Sequence, residues 1–366
     1  MVSSFRFMQN AYTSRRKLLR SRMAERGLST LLVTHPANWY YLTGFTGESG
    51  ALILDRSGTT LITDGRFTVQ ARQETSGVRV LLQHGALMPS AGEFLKGTGG
   101  TIGYDASRLT VAEFKAARQG AGARKGWKDA SGLVEGLRMR KDVAELGQMR
   151  KAASLAVGVL QGVAKLLKPG VSELELAAEI EYQMRRAGAS GPAFETIVAF
   201  GERSAFPHAR PTAKKLRKNE LVVLDLGAIL GHYCSDITRT FFCGRAPGRI
   251  RGWYRAVREA QEAAIAAVRT GVACGEVDAT ARRVLAGHRV GHYFVHSTGH
   301  GLGLEVHESP RVAKGQAQRL EPGSVITVEP GVYVPGVGGI RIEDDVAVHE
   351  QGSEVLTRLT RDLIEL

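Results

Sequence analysis

The chain has 366 residues, 43% hydrophobic and 7% aromatic, which is long enough for two domains and excludes an intrinsically disordered chain. Its net charge of +13 invites a nucleic-acid partner, yet the basic residues are dispersed and gather only at Arg15–Arg20 and Lys214–Lys218, with no interleaved aromatic stacking motif, so no nucleic acid is expected. No segment approaches about 18 uninterrupted apolar residues, the opening MVSSFRFMQNAYTSRRKLL lacks a signal-peptide core, and Cys234, Cys243 and Cys274 make neither a CxxC pair nor an even disulfide framework. A cytoplasmic protein with no membrane contact is the expectation.

In chain order, a basic helix is expected over 15–27. The strands TLLVTH, ALILDR, TTLITD, VRVLLQ and TIGYDAS follow, with short helical stretches such as 66–75 between them. That alternation predicts a smaller N-terminal α/β domain over residues 1–132. Its end is placed in AARQGAGARKGWKDASG, rich in Gly and charge and read as a linker. A second domain, 133–366, opens with one long amphipathic helix running from Leu137 to Leu167 and stopped by Lys168-Pro169-Gly170.

The second domain contains an internal repeat. Gly170-Val171-Ser-Glu-Leu-Glu175 returns about 100 residues later as Gly271-Val272-Ala-Cys-Gly-Glu276. His208-Ala-Arg-Pro211 returns as His307-Glu-Ser-Pro310, and LVVLDLGA, carrying Asp225, returns as SVITVEPG, carrying Glu329. Ser172 and Glu175 form a capping box. Two helix-helix-strand-strand halves related by a pseudo-two-fold axis predict an α+β domain with one curved antiparallel sheet and helices outside. Corresponding carboxylates then face each other at its centre.

Those carboxylates are the chemistry. Asp225 lies in an apolar strand, where an unpaired carboxylate is costly or forced neutral. Asp236 follows in HYCSDITRTFF, with Gly227 and Gly231 turning the chain between them, and Glu329 and Glu343 repeat the device. Alternation in GGIRIEDDVAV sets Arg341, Glu343 and Asp345 on one strand face and Ile340, Ile342 and Asp344 on the other. Four converging carboxylates repel one another, and two divalent cations cancel them. His300 is the expected fifth ligand because Gly299 and Gly301 allow the backbone a close approach there. Oxygen-rich donors favour manganese first, with cobalt or zinc possible. His288, His292, His296 and His300 recur at intervals of four, but the intervening glycines and aromatics argue against a helix. HExxH, GxSxG and the dinucleotide fingerprint are all missing.

Together LDLGA, SDITRTF, STGHGLGLEVHE, TVEPGVY and GGIRIEDD resemble the creatinase or pita-bread metallopeptidase family, which includes methionine aminopeptidase, Xaa-Pro aminopeptidase and Xaa-Pro dipeptidase (prolidase). NWYYLTGFTGESGALI and LITDGRF resemble the N-terminal domain of its proline-specific branch. The resemblance covers the whole chain and matches all five metal ligands, Asp225, Asp236, His300, Glu329 and Glu343, with Asp236 and Glu343 implied to bridge two metals. It also implies that His208, His296, His307 and Arg341 surround the substrate, and that the protein is a homodimer. Glu202-Arg203-Ser204 in AFGERSAFPHARP departs from the family pattern.

The expected activity is that of an Xaa-Pro aminopeptidase, hydrolysing the first bond of a peptide with proline second through a metal-bridging hydroxide, with Glu329 moving the proton and His307 steadying the oxyanion. The first alternative is an Xaa-Pro dipeptidase. A further one is a non-catalytic pita-bread protein that binds peptide or nucleic acid, against which the intact ligand set argues.

Overall fold

In the computed structural model, which describes residues 2–122 and 124–366, the chain divides into two units after Arg138. The boundary expected from sequence, after residue 132, lies just ahead of this division.

The first unit runs α1 (Val2–Glu25), β1 (Thr30–Val33), α2 (Pro36–Thr43), β2 (Ala51–Asp55), β3 (Thr59–Thr63), α3 (Thr68–Glu74), β4 (Arg79–Leu82), α4 (Leu87–Lys96), β5 (Ile102–Tyr104), α5 (Val111–Ala121), β6 (Trp127–Asp129) and α6 (Glu135–Arg138). Its six strands form a mixed sheet in the order β4-β3-β2-β1-β5-β6. Leu32, Ile53 and Ile62 pack beneath Leu95 of α4 and Ala117 of α5. All five predicted strands are present. The segment read as a linker is not one: its front closes α5 and its end is the edge strand β6, parallel to β5. Trp127 anchors that strand, its ring 5.8 Å from Tyr104 and 5.3 Å from Phe114. One aromatic outweighs the surrounding Gly and charge, because its burial supplies the apolar contact that composition averaged away.

The second unit holds α7 (Val143–Ala164), α8 (Glu173–Arg186), β7 (Gly191–Pro192), β8 (Ile197–Phe200), β9 (Glu220–Leu226), β10 (Ala228–Leu230), β11 (Tyr233–Cys234), β12 (Ile237–Cys243), α9 (Gly248–Ala267), α10 (Cys274–Gly287), β13 (Gly299–Gly301), β14 (Glu308–Val312), β15 (Val325–Val328), β16 (Gly331–Val334), β17 (Gly338–Arg341), β18 (Asp344–Val348), β19 (Ser353–Val355) and β20 (Ile364–Glu365). The single helix expected from Leu137 is two. Asp142 starts α7 afresh, accepting from Glu145 N while the Glu145 carboxylate accepts from Asp142 N. This capping box interrupts an apolar period that runs on through it. α10 ends at Gly287 and a 3-10 turn over Gly291–Tyr293 follows, so the four spaced histidines do not share a helix.

The repeat is physical. Gly170 N donates to Leu216 O at 2.9 Å and Leu216 N to Val171 O at 2.8 Å; in the second half Gly271 N donates to Leu320 O at 2.8 Å and Leu320 N to Val272 O at 2.9 Å. The strands hydrogen-bond in two main ladders, β20-β12-β9-β8 and β14-β13-β15-β18-β19, beside the small sheets β11-β10-β7 and β16-β17. The two ladders join where Glu343 N donates to Thr238 O at 3.2 Å and Asp236 N to Asp345 Oδ2 at 3.0 Å. Each half has its own core. Val222, Leu224 and Phe241 pack with Leu160 of α7 and Ile180 of α8, while Ile326, Ile340 and Ile342 pack with Val257 of α9 and Val277 of α10. With the apolar faces turned to the helices, period-two alternation turns the acids to the opposite side.

One acid lies on the helix side. Asp344 accepts from Arg239 Nη2 at 2.8 Å, Thr357 Oγ1 at 3.0 Å, Gln261 Nε2 at 2.8 Å and Arg361 Nε at 2.7 Å. Arg239 also donates to the carbonyls of Thr238 and Glu343, tying both ladders together from behind. Removing one member of such a buried pair strands the other charge, so Asp344→Ala should cost about 3–5 kcal/mol of unfolding free energy. Denaturant titration measures this, and a loss below about 1 kcal/mol would remove the network from the account of stability.

Candidate metal centre

β9 and β12 run antiparallel with Asp225 opposite Thr238, and Asp236 immediately precedes β12. β15 and β18 pair likewise, with Glu329 just after β15 and Glu343 just before β18. His300 sits at the middle of β13 between two glycines that allow no side chain. A Cβ on Gly299 would lie 1.9 Å from Thr327 O, and one on Gly301 2.3 Å from Ser309 O.

Asp236, His300 and Glu343 each place one ligand atom within 4.8 Å of the others. Glu329 Oε1 lies 3.5 Å and Asp236 Oδ2 3.8 Å from His300 Nε2. Asp225 stands apart from this group through Oδ2, which accepts from Arg341 Nη2 at 2.5 Å. Its Oδ1, with Oδ1 of Asp236 and of Asp345, is buried and meets no donor among the described residues.

The electrostatics follow from this crowding. Burial first, and then the charges of Glu343, Asp225, Asp345 and Glu329, hold the Asp236 carboxyl well above the usual range. Burial, then Glu329 and Asp225, do the same to Glu343, although Thr238 Oγ1 donates to it at 2.5 Å. Glu329 is pushed up to about 8, chiefly by burial, with Arg341 pulling the other way. His300 is pushed down to about 4 by burial. Its Nδ1 meets Gly301 O at 2.9 Å, so a neutral ring carries its proton there and turns the Nε2 lone pair to the acids.

Such a set suits a divalent cation. It offers orphaned hard oxygens, mutually repelling carboxylates and a neutral imidazole with one free nitrogen, all deep in a low-dielectric interior. Divalent metal ions are the cofactor this donor set fits, and its donors come from both halves.

The remaining expected residues are nearby. His296 Nε2 is 2.8 Å from the Tyr333 hydroxyl, and its ring is pushed down to about 4 by burial and then by Arg341. The His307 ring stacks edge-on to His300 at 4.3 Å but is exposed, and exposed His208 lies close enough for its charge to be felt by both His296 and His307. Arg341 is held through all three nitrogens: Nε donates to Thr238 Oγ1, Nη1 to Pro207 O and the Tyr333 hydroxyl, and Nη2 to Asp225.

Sequence reasoning left Tyr333, Thr238 and Asp345 without roles. Tyr333 lies in the quoted TVEPGVY, yet only the β16–β17 hairpin, which pairs Gly331 with Arg341, brings its hydroxyl to both Arg341 and His296. Asp345 was signalled by alternation from Arg341 and Glu343.

Residues 147–350 match the model of metallopeptidase family M24, and residues 15–140 that of the creatinase/prolidase N-terminal domain. The chain is 36% identical over 345 residues to the Xaa-Pro dipeptidase of Pyrococcus furiosus, covering 93% of this chain and 97% of that one. A solved Xaa-Pro dipeptidase from Bacillus anthracis superposes with a TM-score of 0.93 at 36% identity, over 97% of this chain and 100% of the other. An X-Pro aminopeptidase from Thermotoga maritima gives a TM-score of 0.86 at 34% identity, over 93% and 98%.

The raised carboxyls make a prediction. The folded, metal-free protein holds the Glu329 proton up to about 8, whereas the unfolded chain releases it near 4.5. Folding stability from this group is therefore full at low pH and drains as pH rises toward 8. The buried histidines act oppositely, but only below 6.5. Chelated protein should melt at falling temperatures from pH 6.5 to 8, and saturating divalent cation should flatten the profile; identical profiles with and without chelator would contradict the site.

Proposed function

This chain belongs to metallopeptidase family M24, and we propose that it is a metal-dependent Xaa-Pro dipeptidase, a prolidase, with two cations at its centre. The observation that carries this is the full-length likeness to Xaa-Pro dipeptidases, which includes the N-terminal domain as well as the metal centre. The aminopeptidase expected from the sequence is the second reading, favoured by the Thermotoga maritima enzyme at lower TM-score.

Asp225, Asp236, His300, Glu329 and Glu343 would hold the two ions, manganese first, with cobalt or zinc as alternatives. When bound they supply Lewis acidity and activate water at neutral pH. Glu329, 3.5 Å from His300 and 3.9 Å from His296, carries the proton from water to the departing proline nitrogen. That nitrogen belongs to a tertiary amide without N–H, so it needs a proton to leave and offers no donor by which a general site could grip it.

His307, exposed beside His300, donates to the developing oxyanion. His208 and His296 flank the proline ring. Arg341, with all three of its nitrogens engaged by the protein, braces Asp225 and Tyr333 instead of gripping substrate. Three buried free cysteines are in keeping with a cytoplasmic location, and no helix among the described residues is long and apolar enough to cross a membrane. A homodimer acting on peptides, without nucleic acid, completes the proposal.

Metal-loaded protein should cleave Xaa-Pro dipeptides and leave Xaa-Pro-Xaa peptides intact. Cleavage of the longer peptides would move the assignment to the aminopeptidase, and cleavage of neither would return it to a binding protein. Asp236→Asn should lose bound metal and turnover together, as read by elemental analysis and dipeptide hydrolysis; full occupancy with ordinary turnover would sink the ligand assignment.

A further inference from the structure

Both halves of the second unit hold a fully buried carboxylate outside the metal centre that the mechanism above does not use: Glu173 at the start of α8, and Asp278 on α10. Their surroundings match. Glu173 accepts from both the backbone N (2.9 Å) and the hydroxyl (2.7 Å) of Thr212, and from Arg203 Nε at 3.0 Å. Asp278 accepts from both the backbone N (3.2 Å) and the hydroxyl (2.8 Å) of Thr298, and from Arg282 Nε at 2.8 Å.

Each arginine then caps a carbonyl of the loop its partner threonine ends. Arg203 Nη2 donates to Arg210 O at 2.5 Å, and Arg282 Nη2 to His296 O at 2.6 Å. Glu173 also accepts from Phe200 N, closing the 200–212 loop at both ends. The loop gripped by Glu173 carries His208, and the one gripped by Asp278 carries His296. The likeness is not a copied sequence, since Arg203 comes from the loop and Arg282 from the helix. The same arrangement has been reached with different residues.

We infer that Glu173–Arg203–Thr212 and Asp278–Arg282–Thr298 are paired clamps that position His208 and His296, making Thr212 and Thr298 positioning residues for substrate recognition. A buried carboxylate that meets one Arg still has lone pairs to satisfy, and each of these acids fills them with both donors of a single threonine on the histidine-bearing loop. A threonine giving both its donors to one carboxylate adds directional restraint, fixing the chain beside each histidine in two dimensions. This rests on the proposed roles of His208 and His296 in binding the proline side.

The test uses Thr212→Val and Thr298→Val, nearly isosteric, with Thr212→Ser and Thr298→Ser as rescues, in diamagnetic zinc-loaded protein for the spectra and in manganese-loaded protein for the kinetics. Histidine-ring nitrogen NMR should show the His208 resonances shifted in Thr212→Val alone and those of His296 in Thr298→Val alone, with each serine variant restoring its own. KM for an Xaa-Pro dipeptide should rise about tenfold in each valine variant at unchanged metal content, with kcat less affected. Ring resonances that stay put, or that move together in both variants, would overturn the clamps. If the rings respond selectively while the unsubstituted protein cleaves no Xaa-Pro peptide, the clamps stand and the dipeptidase reading falls.

Discussion

Mutual repulsion of buried carboxylates is the constraint on which the second unit depends. Asp225, Asp236, Glu329, Glu343 and Asp345 share one interior, where each raises the cost of ionising its neighbours and water is too scarce to screen them. A protein can hold such a group only by protonating it, by meeting it with cationic side chains or by binding metal. Arg341 hydrogen-bonds Asp225 and reaches Glu329 and Glu343 only through its charge, and the orphaned oxygens of Asp225, Asp236 and Asp345 show where side-chain compensation stops. What is left is a charge pattern that divalent cations complete.

Around that constraint the halves divide their labour. The strand faces turned to the helices are apolar and hold the ladders against α7–α8 and α9–α10, and the opposite faces are free to carry acids. Arg239 and Asp344 fasten the seam from the helix side, one peptide from Glu343. Buried acids on α8 and α10 reach toward the loops that bear His208 and His296. The same pair of helices therefore supplies core on one side and loop restraint on the other, a consequence of building one site from two copies of one motif.

Much of this was legible beforehand because two periodicities coincide in the sequence. Alternation in GGIRIEDDVAV separated Arg341, Glu343 and Asp345 from the core-facing Ile340 and Ile342, and the structure keeps that division even though the strand breaks between β17 and β18. The repeat pairs Asp225 with Glu329 on residue order alone. The failures were local: Trp127 made a strand of a supposed linker, and Asp142 restarted a helix whose apolar period ran on unbroken. In both, one side chain outweighed the average of its window. The clamps were out of reach for another reason, since Glu173, Thr212, Asp278 and Thr298 read singly as ordinary polar residues.

The amino-acid order alone determined the fold class, the doubled architecture and which acids and histidines to expect near one another, because these follow from spacing and side-chain type. Only the tertiary structure decided which acid Arg341 meets, that Tyr333 joins Arg341 to His296, and which nitrogen of His300 faces the carboxylates. Those depend on how segments from 8 to 116 residues apart are brought together, in a medium where an ångström of separation changes a charge interaction by on the order of 1 kcal/mol, a sizeable share of the net stability of a fold.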